Sequence, residues 1–283
     1  MEQPDDLSVL TRSARAPDEV VAYGSDPDQV ADVRFGADGA VGSGSAAGSG
    51  SAAGSACAAG AVGAQTATDA SRAADRPLVV IVHGGFWRPQ YDRAHTGPMA
   101  EAIAAAGWTV ASTEYRRIPG DPDKTLQDVS DALARLPAKI SRHNGKVVLI
   151  GHSAGGHLVL WLTVARRTPQ LIGTLALAPA ADLQLADELN LGDGATRLFL
   201  GADPKTRPDV DPRQLPSSQI PTVIIHGDRD VVVRIPVADS YVAAHPSVRL
   251  VRLAGVGHFA LIDPLSAVWS TVLDELGRLA PAQ

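Results

Sequence analysis

The pentapeptide Gly151-His152-Ser153-Ala154-Gly155 constrains this chain more than any other stretch. It follows directly on a short run rich in β-branched residues, Lys146 to Ile150. It leads straight into an apolar segment, Ala154 to Arg167, that reads as a helix. In that setting G-x-S-x-G describes a tight strand-to-helix turn that lifts the serine hydroxyl above the end of a sheet. Glycines are needed on both flanks because the turn is strained and neighbouring backbones pass close by. The helix N-terminus just after Ser153 supplies positive potential and unpaired N–H groups, which suit an oxyanion. Ser153 is therefore the candidate nucleophile, whereas the same five residues without the strand and helix would be an ordinary Gly/Ser turn.

An elbow of this kind needs a parallel sheet beneath it, and the rest of the sequence supplies one. Leu78 to Val82, Trp108 to Thr113, Leu171 to Leu177, Thr222 to His226 and Val248 to Leu253 read as further strands. Met99 to Ala106, Asp123 to Arg142, Ile235 to Ala244 and Leu265 to Leu279 read as helices, with Pro137 expected to kink or break the second. Alternation of this kind predicts an α/β fold, a mostly parallel twisted sheet flanked by helices on both faces. The 283 residues, 45% hydrophobic and 20% charged, suit one globular domain spanning 1–283, with no internal repeat. One segment stands apart. From Gly36 to about Asp75 the sequence is nearly all Gly, Ala and Ser, which predicts a flexible low-complexity insertion at about 36–75. The single cysteine, Cys57, falls inside it, so an intrachain disulfide and a thiolate metal cluster are excluded. No base or cation beside Cys57 would activate its thiol.

Two other motifs complete the chemistry that Ser153 needs. His83-Gly84-Gly85-Phe86-Trp87 ends the first strong strand, where an HGG-type loop offers backbone N–H groups to an oxyanion. With the residue after the nucleophile, the expected donors are Gly85, Phe86 and Ala154. An acid and a histidine must then follow the serine in chain order. His226-Gly227-Asp228-Arg229-Asp230 and Gly255-Val256-Gly257-His258-Phe259 both follow strands, at the sheet end where open α/β folds place their sites. Motif position favours Asp230 as the acid that orients His258, with Asp228 the competing acid and better suited to shaping the turn. Trp87 and Tyr91 are candidate substrate contacts, and Trp87 serves equally well as a brace for the loop.

Taken together, His83 to Arg88, Glu114-Tyr115-Arg116-Arg117, Gly151 to Leu158, His226 to Asp230 and Gly257-His258-Phe259 resemble the esterase/kynurenine-formamidase branch of the α/β-hydrolases, near the hormone-sensitive-lipase group. The resemblance runs from about Ala22, with Tyr23-Gly24 to Val33 as the first strand, and leaves out the Gly/Ala/Ser segment. It implies an α/β-hydrolase core of the eight-stranded type with little or no cap, acting on esters or N-formyl amides. Phe86 stands where lipase-like relatives carry a third glycine, which narrows the mouth of the site. The low-complexity segment is a second departure from the family pattern.

Several functions are excluded. A formal net charge of −6 with no basic run argues against a nucleic-acid partner and against attraction to anionic membranes. The first ten residues lack the features of a secretory signal, and the apolar run Leu158 to Ala165 is too short to span a bilayer, so a soluble cytoplasmic protein is expected. No pair of histidines has metal-ligand spacing, and neither a metal nor another cofactor is expected. His83, His152 and His226 read as loop hydrogen-bonders, His157 as a packed residue, and His95, His143 and His245 as surface residues. The leading expectation is a serine hydrolase of small-acyl carboxylic esters. An arylformamidase acting on N-formylkynurenine is the second reading, and a non-catalytic ligand-binding protein on the same fold the third. A small molecule is the expected partner, and the sequence leaves the oligomeric state open.

Overall fold

Five-residue runs such as Leu78–Val82 are apolar at every position because both faces of the sheet they form are covered. The computed structural model describes residues 6–36, 74–166 and 168–280. Its strands are β1 (Glu19–Ala22), β2 (Val30–Arg34), β3 (Leu78–Val82), β4 (Val110–Thr113), β5 (Val147–His152), β6 (Leu171–Leu177), β7 (Thr222–Gly227) and β8 (Arg249–Leu253). Its helices are α1 (Gly97–Ala105), α2 (Pro122–Lys139), α3 (Ala154–Ala165), α4 (Leu183–Glu188), α5 (Ala195–Leu200), α6 (Pro236–Ala244) and α7 (Trp269–Leu279). The eight strands form one sheet in the order β1-β2-β4-β3-β5-β6-β7-β8. Only β1 and β2 run antiparallel to their neighbours, and β4 to β8 pair in parallel through β3.

Alternation along the central strands divides the core in two. Leu78, Val80 and Val82, with Val147 and Leu149, face a cluster shared with α2, α3 and α6. Val79 and Ile81, with Val148 and Ile150, face the opposite cluster, which α1 and α7 cover. Successive side chains on a strand point to opposite faces, so one apolar run serves both layers. The strands' C-terminal ends are thereby fixed at one edge of the sandwich, and the loops carrying His83, Ser153, Asp230 and His258 all leave from or near that edge.

Four expectations need correction. The first strand expected over Tyr23 to Val33 is two strands: Tyr23 and Gly24 lie in the turn of a β1–β2 hairpin, closed by a hydrogen bond from the Tyr23 amide to the Gln29 carbonyl. Pro137 does not break α2. It sits in the last turn, the helix runs on to Lys139, and the Ile140 amide still reaches the Leu136 carbonyl at 3.0 Å. The last helix begins at Trp269 rather than Leu265, because Asp263 accepts the Leu265 amide and turns the chain first. The β6–β7 connection holds two helices, α4 and α5, where none was expected. Apart from its ends, the segment from Gly36 to Asp75 lies outside the described residues, as does Cys57. No helix among the described residues is long and apolar enough to cross a membrane.

Candidate active site

Ser153 occupies the turn between β5 and α3 with φ +57° and ψ −118°, a conformation that costs a non-glycine residue strain energy. Its backbone is held on both sides. The Ser153 amide donates to the Leu177 carbonyl at 2.8 Å, and the Ser153 carbonyl accepts from the His157 and Ala180 amides. The flanking glycines allow the close approach. A Cβ on Gly151 would lie 2.2 Å from the Gly155 carbonyl oxygen, and a Cβ on Gly155 would lie 2.1 Å from the Val82 oxygen and 2.4 Å from the His83 oxygen. Ala154 opens α3, so its amide belongs to the first turn, where helical amides lack intrahelical partners.

The loop after β3 passes against this elbow. A Cβ on Gly84 would stand 2.8 Å from the His152 carbonyl oxygen and 3.0 Å from Ser153 Cβ. Gly85, Phe86 and Trp87 all have positive φ, at +109°, +53° and +55°. Such a run survives only when its surroundings over-determine it, and Glu114 is the centre of what does so. This buried carboxylate lies 2.9 Å from His83 Nε2, accepts the Tyr115 and Arg93 amides at 3.0 Å each, and pairs with Arg117. Tyr115 donates from its hydroxyl to the His83 carbonyl at 2.8 Å and stacks its ring on the imidazole at 4.4 Å. Burial, with Arg117 nearby, pushes His83 down to about 3, so the ring stays neutral. The Glu114-Tyr115-Arg116-Arg117 motif thus props the HGG loop from behind. Arg116 is held in turn by a forked pair with buried Asp128, which also accepts from Gln29 at 2.7 Å.

The candidate acid and the candidate histidine lie against each other. Asp230 Oδ2 lies 2.6 Å from His258 Nδ1, and its Oδ1 accepts the Val232 and Val233 amides at 2.8 Å each. Burial works against the Asp230 charge, but His258 and His226 outweigh it and hold the carboxyl well below its usual range. Asp228 is spent elsewhere: its carboxylate accepts the Gly255 amide at 2.7 Å and ties two loops together. His152, fully buried and held neutral by burial and by the nearby His258, donates from Nε2 to the His258 carbonyl at 3.2 Å. Its ring lies 4.4 Å from the His258 ring.

Ser153 and His258 line one cavity of about 390 Å³ together with Gly85, Phe86, Tyr91 and Phe259. Trp87 does not line it. That ring is buried, stacks on Phe199 of α5 at 4.6 Å and meets His157 edge-on at 5.2 Å, so it braces the loop and is withdrawn as a substrate contact. Tyr91 does line the cavity, half-exposed, with its Cβ pressed against Gly85. His95, expected at the surface, is in the cavity wall, with its ring edge-on to His83 at 5.6 Å and pushed by burial down to about 4. His245 is buried rather than exposed, beside Tyr241. Leu10 and Thr11, which carried no sequence signal, also face the cavity. Helices α4 and α5 do not; their segment packs behind the HGG loop, with Gly192 against Phe86 and its carbonyl accepting from Arg88. No group of acidic, histidine or cysteine side chains among the described residues is arranged to hold a metal ion.

The BD-FAE family model matches residues 66–244, more than half of the chain. The chain belongs to the BD-FAE family. Among curated proteins, esterase LipC of Mycobacterium tuberculosis is 26% identical over 218 residues, covering 66% of this chain and 54% of that one. A kynurenine formamidase of Salmo salar is 26% identical over 173 residues, covering 59% and 55%. The chain therefore spans about half the length of these curated relatives. Among solved structures, esterase B of Lactobacillus rhamnosis superposes with a TM-score of 0.68 at 18% identity, covering 94% of this chain and 87% of that one. A thermophilic esterase of Thermogutta terrifontis does so at 0.65 and 19%, covering 95% of each. At that identity the likeness shows the α/β-hydrolase fold, which the strand order also gives. The esterase/formamidase-like resemblance of the motifs is shown by the family and the relatives together.

Proposed function

We propose that this BD-FAE chain is a serine hydrolase that cleaves small-acyl carboxylic esters through an acyl-enzyme on Ser153. The observation that carries the reading is the Asp230–His258 pair, 2.6 Å apart, with His258 lining one cavity beside a serine held at φ +57°. Asp230 accepts the Nδ1 proton of His258, which leaves Nε2 as the base that takes the Ser153 proton. Ser153 Oγ then bonds to the substrate carbonyl carbon, and the oxyanion is met by the amides of Gly85, Phe86 and Ala154. His258 returns the proton to the departing alcohol, and water repeats the sequence to free the acid. Asp230 stays ionised throughout, since its neighbours keep it below its usual range.

A formamidase reading uses the same residues on an N-formyl amide, and it is favoured by the kynurenine formamidases of Salmo salar and Danio rerio among the relatives. Against a purely ligand-binding role stands the strain at Ser153, since a binder gains nothing from a serine held in this conformation. A panel of p-nitrophenyl esters run beside N-formylkynurenine separates the two chemistries. Ser153→Ala should lower turnover on the preferred substrate by on the order of 10⁶, and a fluorophosphonate should label the wild type at Ser153. Near-normal turnover in the variant, or an adduct mapped elsewhere by mass spectrometry, rejects the proposal.

A further inference from the structure

The N-terminal segment lies across the cavity although it is far in sequence from every residue of the candidate triad. Leu10 and Thr11 form part of the cavity wall, and the 3-10 turn Ser8–Leu10 packs on the turn Arg93–Thr96 that carries His95. The segment is fastened at several points. Val9 is fully buried in the cluster of α1 and α7 with Met99 and Ile103. Arg12 makes a forked ion pair with Asp263, which follows His258 by one short turn, and its guanidinium also bonds Ser8 Oγ at 3.0 Å. Further on, the Arg15 amide reaches Glu101 on α1 at 3.1 Å, and Arg34 of β2 donates to the Arg15 carbonyl at 2.7 Å. The segment thus combines a buried anchor, a paired arginine and a residue in the cavity wall.

We infer that residues 8–12 are a strap that closes one end of the cavity, and that Leu10 is a specificity-determining residue that sets how long a substrate the site accepts. The inference rests on the hydrolase reading above. Val9 and Arg12 hold the strap from either side, and Leu10 between them is the apolar stop. The apolar part of the same wall includes Phe86, Val232 and Phe259, so an alkyl group in the cavity loses water, and on this inference Leu10 is where it stops. Shortening Leu10 opens room for further methylenes, each contributing about fourfold in kcat/KM when buried, the equivalent of about 0.8 kcal/mol. The Arg12–Asp263 pair is a positioning contact: it fixes the strap to the loop that carries His258.

The test compares wild type, Leu10→Ala and Leu10→Trp on two ester series, p-nitrophenyl esters from acetyl to octanoyl and acetates of methanol to hexanol. Each profile is normalised to its shortest member. In the series whose variable group faces Leu10, Leu10→Ala should move the optimum up by about two methylenes and raise the hexyl-to-methyl or hexanoyl-to-acetyl ratio about tenfold. Leu10→Trp should lower the same ratio. If Leu10→Ala does not fold, the Trp variant decides alone. Profiles parallel to wild type in both series overturn the strap's role while leaving the hydrolase intact. Failure of the wild type on every ester and on N-formylkynurenine rejects the hydrolase reading instead.

Discussion

Asp228 and Asp230 sit two residues apart on one loop, and their surroundings give them different work. Asp230 shares His258 and two backbone amides, whereas Asp228 spends its carboxylate on the Gly255 amide. Asp230→Asn should lower turnover about 10⁴-fold by leaving His258 in the wrong tautomer. Asp228→Asn keeps an oxygen for the Gly255 amide and should change turnover little. Steady-state rates of the two variants check this, and the reverse ranking assigns the acid to Asp228. A third carboxylate, Asp211, is buried with one oxygen lacking a partner among the described residues, and burial pushes it up to about 6. Below about pH 4 both folded and unfolded states hold its proton, and between 4 and 6 only the folded state does. Above 6 the folded state must carry a buried charge. Its stabilising share is therefore present at low pH and lost as pH rises through 6. Asp211→Asn should gain on wild type by about 2 kcal/mol between pH 4.5 and 8 in urea unfolding. A difference that does not change with pH means that Asp211 is ionised throughout.

At the scale of elements, two glycines inside helices have opposite reasons to be there. Gly155, in the first turn of α3, faces the β3 backbone so closely that a Cβ has no place. Gly277 of α7 has nothing within 4 Å of the position a Cβ would take, and its φ is ordinary. Gly277→Ala should stabilise by about 0.5–1 kcal/mol, while Gly155→Ala should destabilise by about 3 kcal/mol or more, in the range of overpacked core sites; denaturant midpoints decide both. The glycines flanking Ser153 were legible in the sequence because the elbow motif encodes a close approach. The strands β3, β5 and β6 were legible for a related reason, since double-sided burial writes itself as an unbroken apolar run. Other elements left no such mark. Strand β1 is an edge strand with mostly exposed residues, and α4 and α5 span six residues each, too few for a helical period to emerge. Trp87, His95, Leu10 and Thr11 show why the cavity wall is harder to read than the triad. The candidate triad was read from chain order and loop motifs, whereas a wall follows from which distant segments happen to pack together.

Across the whole molecule, the described residues on either side of 37–73 meet at the same place. Before it, Gly36 lies so near the Gly107 backbone that a Cβ would be 2.7 Å from its carbonyl carbon. After it, Arg76 donates to the Ala106 carbonyl at 2.8 Å and lays its guanidinium over the Trp108 ring at 4.7 Å. Both flanks thus rest on the α1–β4 turn, and the described residues on either side form the eight-stranded sheet. The Gly/Ala/Ser composition of residues 37–73 predicts a flexible loop, whose closure costs entropy only as the logarithm of its length, so on that reading shortening it about fourfold with a Gly/Ser linker should raise stability by about 1 kcal/mol. Turnover on the preferred ester should stay within about twofold of wild type, because the described lining of the cavity draws on neither flank. Urea unfolding and the ester panel together check this. A shortened chain that unfolds with an unchanged midpoint but has lost activity on every substrate would make residues 37–73 part of the site. One that fails to fold would make them part of the core.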